Sequence, residues 1–404
     1  VISVEDAKRR ILAAIHPLPA EQLAISQALG RVLAEDVAAR VTQPPAAVSA
    51  MDGYAVRAAD AARVPASLTV VGKVPAGGAY DGRIGPGEAV RIFTGAPVPE
   101  GADAIVIQED TEAAEGRVTV KEVPHPGQYV RPAGLDFRAG DVGLRAGRRM
   151  TARDVGLAAA MNVPWLKVFR RPRIAVLATG DEVVMPGTPI GRSQIVCSNG
   201  LSLAAAIAAA GGEAVDLGIA ADSREALVAM AAGARGADML VTTGGASVGE
   251  HDLVREVLGE AGLKIDFWTI AMRPGKPLIF GTIGGTPMLG LPGNPVSTLV
   301  CATIFLLPAL AKMQGLAPDR SPAHHAVLAT PLPANDRRQD YLRATLSHGP
   351  DGVLLATPFD KQDSSMLATL ARADCLVVRP PLAPAAQAGD RVEIVPFPTG
   401  PAGI

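Results

Sequence analysis

The chain has 404 residues, a formal net charge of −2 and a pI near 6.4, with 48% hydrophobic and 19% charged residues. Such a length and apolar content point to roughly two to four domains with sizeable cores, and the near-neutral balance argues against a broad nucleic-acid or anionic-membrane surface. Cys197, Cys301 and Cys375 lie far apart with no CxxC pair, which excludes a thiolate zinc site and fits a reducing, cytoplasmic compartment.

In chain order, residues 1 to 40 read as helical. Ser3 caps an amphipathic start without signal-peptide order, and AEQLAISQALGRVLAEDV continues the helical spacing of apolar residues. Residues 41 to 140 change to short Val/Ile-rich runs punctuated by Gly and Pro, the pattern of a turn-rich β-domain. Helical sequence returns over 141 to 170, with Thr151 as a cap, so the β-domain reads as an insertion.

Residues 171 to 321 read as repeated β-α units. The strands are RIAVLAT, EAVDLGIA, ADMLVTT, KIDFWTIA and PLIFGTI, with helices between and after them. This predicts a three-layer α/β/α domain with a mostly parallel sheet, whose ligands bind beyond the carboxyl ends of the strands. LVCATIFLLPALA, residues 299 to 311, is shorter than the ~20 apolar residues of a membrane span and reads as a buried helix. Residues 322 to 404 turn β again. The expected division is 1–20 plus 171–321 (α/β), 21–40 plus 141–170 (helical linker), 41–140 (inserted β-domain) and 322–404 (C-terminal, β-barrel-like).

Four motifs fall at the strand ends of the α/β part. In TTGGASVGEHD (242–252), Gly244, Gly245 and Gly249 allow close backbone approach, and Ser247 adds a hydroxyl. The loop reads first as a tight strand-to-helix turn with Asp252 as N-cap and second as an anion cradle. It is neither a Walker A loop nor GxGxxG. LATGDEVV (177–184) puts Asp181 and Glu182 at a strand tip, where carboxylates suit Mg²⁺ or simply form a solvated turn. MRPGKPLIFG (272–281) sets Arg273 and Lys276 about a stiff Pro-Gly, a pair suited to a small oxyanion or to a basic surface turn. LPGNPVST (291–298) has helix-start chemistry at Asn294 and Pro295 and presents Ser297. Outside this domain, Asp52 in SAMDGYAV and Thr94 in RIFTGAPVPEGAD read first as β-turn residues. No HExxH or GxSxG pattern occurs.

Taken in order, SAMDGYA, RIFTGAPVPEGADA, ATGDE, GGASVGEHD, RPGKP and LPGNPVS resemble the molybdopterin molybdenumtransferase family, whose members include bacterial MoeA and the gephyrin E-domain. The resemblance implies an elongated, L-shaped homodimer of four-part subunits, with a central part similar to the molybdopterin adenylyltransferase fold. The implied reaction is Mg²⁺-assisted insertion of molybdate into adenylylated molybdopterin, with release of AMP. It also implies an active cleft between the α/β part of one subunit and the inserted β-domain of the other, which would give Asp52 and Thr94 catalytic roles.

By matched motif, Glu182 and Asp252 become metal or nucleotide-site carboxylates. Arg273, Lys276, Ser297, Arg338 and Arg343 become molybdate or phosphate contacts. Gly244, Gly245, Ser247, Gly249, Asn294, Asp222 and Asp136 become substrate-site residues. Implied partners are a molybdopterin adenylyltransferase and recipient molybdoenzymes. Two other readings stay open: adenylyl transfer onto molybdopterin, and a non-enzymatic scaffold of the gephyrin type.

Overall fold

The computed structural model describes residues 1–75, 77–221, 223–244, 259, 262–317 and 324–397. Its centre is a six-stranded sheet in the order Glu213–Ala220, Arg173–Thr179, Met239–Thr243, Thr286–Leu291, Pro277–Ile283 and Leu263–Thr269. The first four strands are mutually parallel, and Pro277–Ile283 runs antiparallel to both of its neighbours. The mostly parallel expectation holds for those four strands but missed TPMLGL. This strand pairs with PLIFGTI across Gly284 and Gly285, both at positive φ, where the Gly-Gly pair makes a tight hairpin turn.

The sheet packs on a large core that also takes Val4, Ala7 and Ile11 of the helix Val4–Ala14. Ser3 caps that helix, its side chain accepting from the Asp6 amide. Within Pro295–Met313, the one described helix long and apolar enough to cross a membrane, 67% is buried in the protein. Val300, Phe305, Leu306 and Leu310 lie in the central core, so it is a core helix. A wider π-helical turn over Ala302–Leu306 precedes Pro308, whose ring would clash with the carbonyl one regular turn back and whose missing N–H would leave that carbonyl unpaired.

The helix expected over 20 to 37 is a correction. Ala20–Ala24 is a strand paired antiparallel with Trp165–Phe169, followed by a single 3₁₀ turn, Ile25–Gln27. The pairing buries Leu23 with Leu33, Leu166 and Val168, and this tertiary burial outweighs a weak local helix preference. The linker's helix is Ala152–Ala160, where Thr151 and Asp154 form a reciprocal capping box.

The inserted region carries a six-stranded sheet in the order Ala104–Ile107, Gly53–Val56, Glu88–Ile92, Ala66–Val74, Arg117–Val120 and Thr111–Ala114. In the C-terminal region, His324–Leu328, Leu354–Pro358, Gln339–His348, Cys375–Arg379 and Arg391–Pro396 pair in a closed ring, a small barrel. One further pairing ties this barrel to the α/β domain: Met272–Arg273 runs parallel to Gln339–Asp340.

Candidate functional site

The carboxyl edge of the central sheet opens into a cleft of about 930 Å³, in the range of small-molecule sites. Its position follows from topology. The strands Arg173–Thr179, Met239–Thr243 and Thr286–Leu291 all end there, and the turn between Leu263–Thr269 and Pro277–Ile283 returns there. The cleft therefore gathers Glu182, Gly244, Arg273, Lys276, Asn294 and Ser297, and adds Arg338 from the barrel side.

Two glycines shape its floor. Gly244 has φ +90°, and a side chain there would meet the Thr179 carbonyl oxygen at 2.4 Å. Gly275 has φ +112°, and a Cβ would lie 2.4 Å from Cys301 Sγ. Only glycine lets the chain take these conformations against those neighbours. Asn199 stitches the floor together, its Nδ2 donating to Thr243 Oγ1 at 2.9 Å and to the Gly293 carbonyl at 2.7 Å. Thr179 Oγ1 and Asn199 Oδ1 are buried with no hydrogen-bond partner among the described residues, leaving polar capacity at the cleft floor.

The cations differ from one another. Lys276 is exposed and has no ion-pair partner among the described residues. Arg273 donates to Asp340, whose side chain is 5% exposed, and approaches Asp336 Oδ2 at 3.5 Å. Arg338 donates through Nη2 to Asp336 Oδ2 at 2.7 Å and through its amide to Oδ1 at 2.8 Å. The Arg338 side chain, then its amide, holds the Asp336 carboxyl down to about 2. The two arginines are thus balanced by fixed carboxylates, and Lys276 is the cleft cation left without an ion-pair partner among the described residues.

Ser297 is 5% exposed, in the first turn of the helix Pro295–Cys301. Asn294 stands at the N-cap position, but its side chain donates to Ser364 Oγ at 2.7 Å instead of capping its own helix. The Val296 amide donates to the Ser364 carbonyl at 3.1 Å. The polar run Gln362 to Ser365 thereby becomes a cleft wall, which the sequence reading missed. Its signal was the Asp-Ser-Ser cluster itself, folded so that the Ser365 amide and hydroxyl both donate to Asp363 Oδ1, at 2.8 and 2.6 Å.

Arg343 corrects an expectation. It is 1% exposed and points into the protein, not the cleft. Its guanidinium donates to the Asp363 carbonyl at 3.0 Å, the Met366 and Lys361 carbonyls at 3.4 Å and Gln362 Oε1 at 3.1 Å. It holds the 361–366 segment in place, and four of its five N–H donors are used there. Burial pulls its pKa down.

Other assigned residues lie apart from the cleft. Asp52 and Thr94 meet in the inserted domain, where the Thr94 amide and hydroxyl both donate to Asp52 Oδ1 at 2.8 Å. These bonds hold the Asp52 carboxyl below its usual range. Asp136 is exposed in a turn of the same region, its amide donating to the Gln43 carbonyl at 3.0 Å. Asp222, Gly245, Ser247, Gly249 and Asp252 lie outside the described residues. Among the described residues no group of three or more His, Cys, Asp or Glu side chains is placed to hold a metal ion.

Backbone turns at a parallel sheet edge, a cation without an ion-pair partner among the described residues, two held arginines, hydroxyls and a carboxylate define an α/β protein with a cleft suited to a small anionic ligand. The comparisons with known proteins narrow this class. Three family descriptions follow one another along the chain: MoeA N-terminal region (domain I and II) over residues 2–162, probable molybdopterin binding domain over 175–312, and MoeA C-terminal region (domain IV) over 325–397. A molybdopterin molybdenumtransferase of Haemophilus influenzae is 34% identical over 401 residues, spanning 98% of this chain and 99% of its own. One of Nostoc sp. is 37% identical over 395 residues, spanning 94% and 90%. The crystal structure of a molybdopterin biosynthesis moeA protein from Pyrococcus horikosii superposes with a TM-score of 0.86 at 33% identity, covering 99% of this chain and all of that one. The chain belongs to the molybdopterin molybdenumtransferase family.

Proposed function

We propose that this chain is a transferase of molybdenum cofactor biosynthesis that inserts molybdenum into molybdopterin, with adenylylated molybdopterin and molybdate as substrates and AMP as a product. The observation that carries the reading is the exposed Lys276, without an ion-pair partner among the described residues, in one cleft with Arg273 and Arg338 at the sheet edge. Molybdate and the phosphoanhydride are both anionic, so placing negative charge is the main catalytic problem. Lys276 takes the oxyanion as a point charge, with Ser297 as a hydroxyl donor beside it. Arg273 and Arg338, oriented by Asp336 and Asp340, present planar donors of fixed direction. The 362–365 wall, braced by Arg343, closes the site from the barrel side.

Mg²⁺ fits the donor set through Glu182. Its exposed carboxylate lines the cleft, and Mg²⁺ is commonly held by one or two carboxylates together with substrate phosphates. Bound there, it would neutralise phosphate charge. Asp52 and Thr94 sit outside the cleft of their own chain, which supports a homodimer in which a second copy brings them to it. The three cysteines are unpaired and buried, in keeping with a reducing cytoplasm.

The test is a defined insertion assay with purified protein, adenylylated molybdopterin and molybdate, with and without Mg²⁺. AMP release coupled to protein-bound molybdenum-molybdopterin is expected. Adenylylation of molybdopterin from ATP in its place would overturn the reading.

A further inference from the structure

The cleft is polarised along the sheet edge. At one end stands the Arg273–Lys276 turn, leading into the strand Pro277–Ile283. At the other, the chain leaves Arg173–Thr179 and builds a small parallel pair, Val183–Val184 with Ile195–Val196. Those two exits lie three strand positions apart in the sheet, roughly 14 Å at about 4.8 Å per strand.

The far end exposes apolar side chains beside the Glu182 carboxylate. Ile195 is 58% exposed and Val196 40%, and both line the cleft together with half-buried Val183. Met185, Ile190 and Leu201 are also exposed, so five large apolar side chains crowd solvent between residues 185 and 201. A concentration of this kind beside a polar site marks a surface that something covers. The pair is held to its own stem by the Ile195 amide donating to the Glu182 carbonyl at 2.8 Å and the Cys197 amide to the Val184 carbonyl at 2.7 Å. The same short segment therefore fixes both the carboxylate residue and the apolar surface. No aromatic ring lines the cleft among the described residues. Among the described residues, a heterocycle bound there would pack on aliphatic side chains.

We infer that Ile195 and Val196 form a shelf for the pterin ring of an anionic ligand whose phosphates lie between Glu182 and Lys276, so that this pair sets affinity for the ring and the turn sets affinity for the oxyanion. Two features argue for a small molecule with both characters: continuity of the shelf with the cationic turn in one cleft, and a separation that suits an extended ligand. The inference rests on the molybdopterin reading above and assigns its ring to one end of the cleft.

The test uses the full chain in the insertion assay, with adenylylated molybdopterin and molybdate varied separately. The I195S/V196S double variant is expected to raise KM for adenylylated molybdopterin about tenfold, by removing apolar contact area. KM for molybdate and kcat should stay within about twofold. In parallel, the I195W variant should show fluorescence quenching on adding adenylylated molybdopterin, beyond that of wild type, and none on adding molybdate alone. An unchanged KM for the pterin substrate with no added quenching overturns the shelf, as does a change of oligomeric size without a change of KM, which would make this face a subunit contact. If the double variant loses thermal stability, the I195W quenching decides. A wild-type protein without insertion activity would overturn the functional reading, and quenching of I195W by the same ligand would still test the shelf.

Discussion

Arg338 and Arg273 converge on one carboxylate oxygen: Asp336 Oδ2 lies 2.7 Å from Arg338 Nη2 and 3.5 Å from Arg273 Nη1. The carboxyl is held at about 2, against an ordinary 3.8. A lowered carboxyl contributes stability that is complete above its unfolded value and lost as pH falls through its folded value. The melting temperature of Asp336→Asn should therefore lie below that of wild type at pH 6, with the gap closing between about pH 4 and pH 2. A gap that stays constant over this range would detach Asp336 from the arginines.

Lys276→Ala should lower kcat/KM for molybdate by roughly 10²–10³, the typical loss for a donor to developing charge. Its melting point should hardly move, because the side chain is exposed and has no ion-pair partner among the described residues. Arg273→Ala should behave differently. It leaves the Asp340 carboxylate, 3% exposed, without its cation, at about 1–3 kcal/mol. Chemical denaturation of the two variants side by side separates the roles. Equal destabilisation would contradict them.

Arg343→Lys should fail to restore activity. A lysine keeps the charge but cannot reach the Lys361, Asp363 and Met366 carbonyls and Gln362 at once, since it lacks the planar fork. Hydrogen exchange across residues 361–366 should rise in the variant. Rescue of molybdate affinity by lysine with unchanged exchange would show that Arg343 acts as a charge.

Gly244→Ala should cost about 1–3 kcal/mol of stability through strain at positive φ. It should also disturb activity, because the new methyl meets the Thr179 carbonyl oxygen, 2.4 Å from the Cβ position. A variant with wild-type melting and activity would mean that the cleft floor yields at no cost.

The site edge was largely legible because its motifs are local. A strand end, a glycine or proline turn and a helix start lie within about ten residues, and each part has a short-range physical cause. Lys276, Glu182 and Ser297 could be placed at the sheet edge for that reason. What escaped the sequence depends on distant partners. Ala20–Ala24 becomes a strand only because Trp165–Phe169 lies beside it. Asn294 reads as a cap, yet Ser364 takes its side chain from 70 residues away. Arg343 reads as a ligand for an anion only through the family resemblance, which carries its charge and hides its burial. TPMLGL carried too much proline and glycine to read as a strand, and the hairpin turn and neighbouring strands supply what its own residues lack.

The parallel pairing of Met272–Arg273 with Gln339–Asp340 makes the oxyanion end of the cleft common property. The α/β domain contributes the turn, and the barrel contributes the backbone ladder and carboxylates that aim it. A rotation of the barrel relative to the sheet would carry Arg338 and the carboxylates that aim Arg273 with it while leaving Lys276 and the Ile195–Val196 end behind, so the spacing of the cations along the cleft is written into the junction between two domains, neither of which sets it alone.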